Sequence, residues 1–159
     1  MLAREYCDAI NKKDKPIIVS HHMLSGLKEG QEKMSKSDPD SAIFMEDTRD
    51  DVKRKIKKAY CPEKVVAGNP ILDYAKSIIF ERFDEFTIKR DAKNGGDLHY
   101  KTYAELEADF VEGKLHPVDL KNNVADAINE LLQPVREHFQ KDPYARKLLE
   151  TIKQWQVTK

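Results

Sequence analysis

Lys33-Met34-Ser35-Lys36-Ser37 places two ammonium groups three residues apart on a short, hydroxyl-rich stretch. The chain enters it through Gly26-Leu27-Lys28-Glu29-Gly30 and leaves through Asp38-Pro39. Lysines so spaced act as mobile point charges on a polyphosphate, and serines lend hydroxyl or backbone donors to the same oxygens. Charge that develops on a departing pyrophosphate is stabilised by donors of this kind. A charged run is by itself most often solvated surface, so the reading turns on the surroundings.

Upstream, Leu2, Tyr6 and Ile10 recur every four residues, which predicts the tail of a helix. Ile17 to Ser20 is a short β-branched run behind Pro16 and is expected to form a buried parallel strand. The lysine loop then follows the C-terminal end of that strand, where open α/β sheets bind their ligands.

Downstream the pattern is helical. Thr48 with Asp50 and Asp51 predicts a capped helix start, Val52, Ile56 and Ala59-Tyr60 its apolar stripe, and Cys61-Pro62 its end. Asn69-Pro70 opens the next helix, whose inner face is Ile71, Ala75, Ile78-Ile79 and Phe83. Phe86–Arg90 and Leu98–Tyr103 read as strands around an Asn94-Gly95-Gly96 turn. Thr102 and Glu105 form a capping box for a helix that stops at Gly113. Pro117 begins the longest helix, with Leu120, Val124, Ile128, Leu131, Val135 and Phe139 inward and Pro134 expected to kink it. Asp142-Pro143 starts a last helix that ends near Trp155.

The chain of 159 residues suffices for one ordinary core and a smaller appendage, and its 35% charged and 40% apolar residues suit a helix-rich globular protein. Lys plus Arg equals Asp plus Glu at 28 each. Any contact with nucleic acid therefore needs a local patch, for which Lys53-Arg54-Lys55 with Lys57-Lys58 is the candidate. No apolar run approaches the roughly 20 residues of a membrane span, and the N-terminus lacks a signal-peptide pattern. Cys7 and Cys61 are expected to be reduced, buried thiols. No metal site is expected, because adjacent side chains such as His21 and His22 leave a strand on opposite faces.

Taken in order, the lysine loop, Pro16–Leu27, Ile56–Pro62, Thr87–Arg90, Gly95–Leu98 and Leu115–Asn122 resemble the C-terminal half of the tyrosyl-tRNA synthetases of archaeal and eukaryotic type, which are class I aminoacyl-tRNA synthetases. The resemblance runs from Met1 to about Phe139. It implies a mainly α architecture: a helical anticodon-binding domain with a small β-hairpin, at 46–159. Ahead of it, at 1–45, it implies the C-terminal edge (helix, strand, signature loop) of a Rossmann-like catalytic domain. The family's His-x-Gly-His motif and tyrosine pocket have no counterpart in this sequence, so the chain is expected to be a fragment, inactive alone.

The resemblance also implies site roles. Lys33 and Lys36 would neutralise phosphate charge as catalytic residues. Met23, Leu24, Lys33, Met34, Ser35, Lys36 and Ser37 would bind ATP, a substrate accompanied by Mg2+. Asn94, His116, Asp119 and Lys121 would contact the anticodon of tyrosine tRNA, with His116 and Asp119 on its first base, a guanine. The position of Asn94 is commonly aromatic in the family, and asparagine there departs from the pattern. Read from its residues alone, His116 to Lys121 is equally a helix start with a favourable first-turn acid. The implied whole enzyme activates tyrosine with ATP and transfers it to tRNA, as a cytoplasmic homodimer. The alternatives are a stand-alone RNA-binding module, a tryptophanyl-tRNA synthetase fragment, or a nucleotidyltransferase with a similar lysine loop.

Overall fold

A computed structural model describes residues 2–35 and 37–155. Lys36 lies outside the described residues. The order of elements follows the capping signals closely. Helix α1 (Leu2–Ala9) leads into an irregular segment and a 3-10 turn at Pro39–Ser41. Helix α2 (Arg49–Lys58) starts on Thr48, whose side chain accepts from the Asp51 N–H while the Asp51 carboxylate accepts from the Thr48 N–H. Helix α3 (Pro70–Tyr74) starts on Asn69, whose side chain accepts from Ile71 and Leu72. It continues through a π turn (Ala75–Ile79) into α4 (Phe80–Arg82). The wider turn keeps Ile71, Tyr74, Ala75 and Ile79 all inward.

Strands β1 (Phe86–Ile88) and β2 (Leu98–Tyr100) pair antiparallel, Phe86 opposite Tyr100 and Ile88 opposite Leu98. They are shorter than expected, and the connection contains a 3-10 turn, Ala92–Asn94, closed by Gly95 at φ 94°. Helix α5 (Tyr103–Glu112) has the Thr102/Glu105 capping box and ends on Gly113 at φ 84°, a left-handed conformation that glycine adopts without a Cβ penalty. Helix α6 (Pro117–Lys141) begins at Pro117 and runs through the exposed Pro134. Leu120, Val124 and Ile128 are buried on it, while Leu131, Val135 and Phe139 are only half-buried. Helix α7 (Pro143–Gln154) is capped by the Asp142 carboxylate.

The core gathers Val52 and Ile56 of α2, Ile71 and Tyr74 of α3, Tyr100 of β2, Leu106 and Phe110 of α5, and the inner face of α6. Helix α6 is its spine, packing on α2, α3, the π turn, β1 and α7. Burying about twenty such side chains supplies the main stabilisation, since each contributes roughly 1.5–3 kcal/mol.

Two expectations are corrected. Ile17 to Ser20 is not a buried strand: it carries no strand pairing, and Ile17 is 92% and Val19 84% exposed. A strand exists only with a neighbour to take its backbone hydrogen bonds, and no described segment runs beside this one. The only sheet among the described residues is the β1–β2 pair, so the predicted α/β edge is helix and extended loop. The basic patch is also smaller than expected, because Lys55 is buried. Its Nζ lies 2.6 Å from Asp47 Oδ2 and 3.0 Å from the Ala42 carbonyl oxygen, over the ring of Phe44.

Candidate functional site

The lysine loop is built on a closed neck. The Leu27 N–H donates to the Ser41 carbonyl at 2.9 Å, and the Leu27 carbonyl accepts from the Tyr60 N–H at 2.8 Å. Leu27 itself is buried in the core. Ser41, fully buried, pins the far side: its hydroxyl lies 2.7 Å from the Asp38 carbonyl and accepts from the Ser35 N–H at 3.3 Å. Ser35 and Ser37 share a hydroxyl–hydroxyl bond of 2.7 Å. Lys28 pairs with Asp38, whereas Lys33 is exposed and forms no ion pair among the described residues.

An open groove of about 1090 Å³ runs beside this loop, lined by Met23, Leu24, Lys33 and Met34 together with His22 and Lys76. Four of the residues expected at a nucleotide site are thus brought together. Ser35 and Ser37 stand on the neighbouring turn, outside the lining. Lys76 and Ser77, from the π turn, join the groove without any sequence signal beyond their place on the outer face of a helix.

Behind the groove, Asp73 accepts from His22 Nε2 at 2.8 Å, from the Ser25 N–H and hydroxyl at 3.2 Å each, and from Ser77 at 3.2 Å. Burial pushes its pKa up, but the bonds from His22 and Ser25 outweigh it and hold the carboxyl below the usual range. Burial, then the Asp73 charge, drives the Tyr74 phenol well up. That phenol donates to the Ser25 carbonyl at 3.2 Å.

The second constellation lies at the start of α6. His116 is the N-cap, its Nδ1 accepting from the Val118 N–H at 3.2 Å. That bond makes Nδ1 the unprotonated nitrogen, so the proton sits on Nε2, 3.2 Å from Glu63. Asp119, one turn on, keeps its carboxylate free of any donor among the described residues. Lys121 turns away from it and donates to the Lys57 carbonyl at the end of α2. There it lines a shallow basic groove with Lys53, Arg54 and Lys57. Much of that charge is already paired: Lys53 with Asp126 at 3.1 Å, Arg54 with Asp40 at 2.7 Å.

The hairpin is held next to this helix by two residues that the sequence reading did not single out. Asn123 accepts from the Lys89 N–H and donates to the Lys89 carbonyl. Arg90 donates to the Gly96 carbonyl at 2.8 Å and to the Lys114 carbonyl at 3.0 Å. Asn94 is exposed at the tip, and its side chain forms no hydrogen bond with His116, Asp119 or Lys121. Tyr100 is not available for stacking, being buried and bonded to Asp109.

Among the described residues no His, Cys, Asp or Glu cluster could hold a metal ion, and no helix is long and apolar enough to cross a membrane.

A lysine loop beside an open groove, followed by a helical body with a small hairpin, defines a class, and the comparisons agree with it. The chain belongs to the tRNA synthetases class I (W and Y), whose family pattern matches residues 1–133. Within that family it is 58% identical, over its whole length, to tyrosine–tRNA ligase 1, cytoplasmic, of Arabidopsis thaliana. It spans 41% of that relative. The tyrosyl-tRNA synthetase of Leishmania major, solved with tyrosinol, superposes with a TM-score of 0.82 at 45% identity, over 99% of this chain and 25% of that one. The tryptophanyl-tRNA synthetase of Giardia lamblia reaches a TM-score of 0.54 at 25% identity, over 77% of this chain and 28% of that one.

Proposed function

We propose that this chain supplies the signature loop and the anticodon-reading body of a tyrosine–tRNA ligase. In that enzyme tyrosine is activated by ATP and then transferred to tyrosine tRNA, in the cytoplasm and as a homodimer. Residues 1–45 belong to the catalytic side and 46–159 to the tRNA-binding side. The observation that carries the reading is the groove that joins Met23, Leu24, Lys33 and Met34. Backbone at Met23, Leu24 and Met34 holds the adenine; Lys33 and Lys36, aided by Ser35 and Ser37, neutralise the phosphates of an ATP that brings its own magnesium. No side chain here acts as general base, since chemistry of this kind is positioning and charge stabilisation.

On the tRNA side, the exposed His116 turns its Nε2–H from Glu63 to the base, and Asp119 offers acceptors on the same turn. Guanine's Watson–Crick edge presents the complement, one acceptor beside two donors, and single-stranded bases expose that edge. Asn94 extends the site from the hairpin tip by a hydrogen bond in place of a stacking ring, and Lys121 lies at its basic margin. The wide margin by which tyrosyl relatives outscore the tryptophanyl one favours tyrosine over tryptophan.

The test is binding of this chain to tyrosine tRNA and to a tRNA changed only at the first anticodon base. Asp119→Ala should weaken the matched tRNA by about 1–3 kcal/mol, the scale of one bidentate base contact, and leave the altered tRNA unaffected. Lost thermal stability with intact discrimination would reduce Asp119 to a helix-start residue and remove the anticodon assignment.

A further inference from the structure

Two residues of the groove, Met23 and Leu24, sit between two that are tied to the helical body. His22 and Ser25 both bond to Asp73, through the imidazole on one side and through backbone and hydroxyl on the other. The Ser25 carbonyl is taken by the buried Tyr74 phenol. Upstream, residues 17–21 form no regular secondary structure and are exposed. The Asp73 side chain is 20% exposed and its bonds to Ser25 are half-buried, whereas the His22 ring is 60% exposed, so the Ser25 side of the clamp is the better shielded from water.

We infer that Asp73 is a positioning residue for the nucleotide groove. It holds the Met23-Leu24 backbone against α3, so the edge that reads the base is set by the helical body and not by the lysine loop. The inference rests on the nucleotide reading above. With the carboxylate ionised, the Ser25 N–H, its hydroxyl and the His22 N–H all find an acceptor. An alanine at the same place removes all of these acceptors at once, which frees the peptide planes between them. Binding must then order torsions that the clamp had fixed in advance, and affinity falls although no ligand contact has been removed.

The experiment uses the whole chain and Mg–ATP as the probe, followed by NMR at the Met23 and Met34 methyl groups, with amide exchange measured at Ser25. Asp73→Ala should speed Ser25 exchange and weaken ATP on the order of tenfold, the scale of a hydrogen bond to a charged group, with the folded circular-dichroism spectrum retained. His22→Phe, at a side chain 60% exposed and outside the core, should give a smaller loss of both in a fold that is not at risk. Lys33→Ala should abolish the ATP response while leaving Ser25 exchange as it was. Faster Ser25 exchange with unchanged ATP affinity in both Asp73→Ala and His22→Phe would overturn the positioning role and leave the nucleotide reading standing. No methyl response to Mg–ATP in the unaltered chain would overturn that reading, and the inference with it.

Discussion

Replacing Lys55 by methionine tests how the segment leaving the lysine loop is fastened to α2. Lys55 is 3% exposed and Asp47 11%, so neither charge is appreciably screened by water. Methionine keeps the stem but removes the ammonium, and with it the cation–π contact to Phe44. Asp47 is then left with the Phe44 N–H at 2.9 Å, and the Ala42 carbonyl loses its side-chain donor. Breaking one side of a buried pair costs about 3–5 kcal/mol. The bond that Asp47 retains puts this case near the lower end, at about 3 kcal/mol. For a chain of this size that is a drop in melting temperature of about 6–12 °C. Urea unfolding followed by circular dichroism reads it directly. Removing the second charge should recover more than half the loss, so Lys55→Met with Asp47→Asn should be more stable than Lys55→Met alone. A cost under about 1 kcal/mol, the worth of an exposed pair, would refute the reasoning. So would a double variant no better than the single.

Thr102→Ala removes half of a complete capping box and should cost about 1 kcal/mol in the same unfolding assay. Gly113→Ala forces a Cβ onto a residue at φ 84° and should cost about 1 kcal/mol, with the Lys64 side chain displaced at little further expense. Asn123→Ala should accelerate exchange at the Lys89 amide while leaving the Ile88 amide, which faces β2, protected. Acid should loosen the Asp73 clamp: its carboxyl titrates below the ordinary 3.8, so its stabilisation is complete above that pH and is lost as pH falls through the lower, folded value. Ser25 amide exchange, corrected for its intrinsic pH dependence, should rise in that window and not between pH 5 and 7.

Caps and stops were legible because they are settled within a few residues. Thr48 with Asp51, Asn69-Pro70, Thr102 with Glu105, Gly113, Pro117 and Asp142-Pro143 each fix a helix end by local hydrogen bonding or backbone sterics. Features that need a distant partner were not. Ile17 to Ser20 has every local property of a strand and no pairing partner among the described residues. Lys55 reads as one of a basic run, and only the approach of Asp47 and Ala42 turns it inward. Asn123 lies in no motif and Arg90 only ends the Thr87–Arg90 string, because their importance lies in which carbonyls and amides happen to face them. At the candidate site, the lysine loop and the start of α6 could be read from sequence. The Asp73 clamp joins residues about fifty positions apart and could not.

The neck at Leu27 has a bearing on how the lysine string can work. Bringing the ends of a loop together has an entropic cost that grows only with the logarithm of its length. Here residues 28–40 are already shut at the base, because Leu27 is bonded to Ser41 on one side and Tyr60 on the other. That closure is completed when the protein folds. A polyphosphate arriving at Lys33 therefore has only torsions inside the ring left to fix. Lengthening the ring should matter little, since even doubling it adds about 0.6 kcal/mol. Variation in loop length should be tolerated within 28–40, and the hydrogen bonds that close it should not be dispensable.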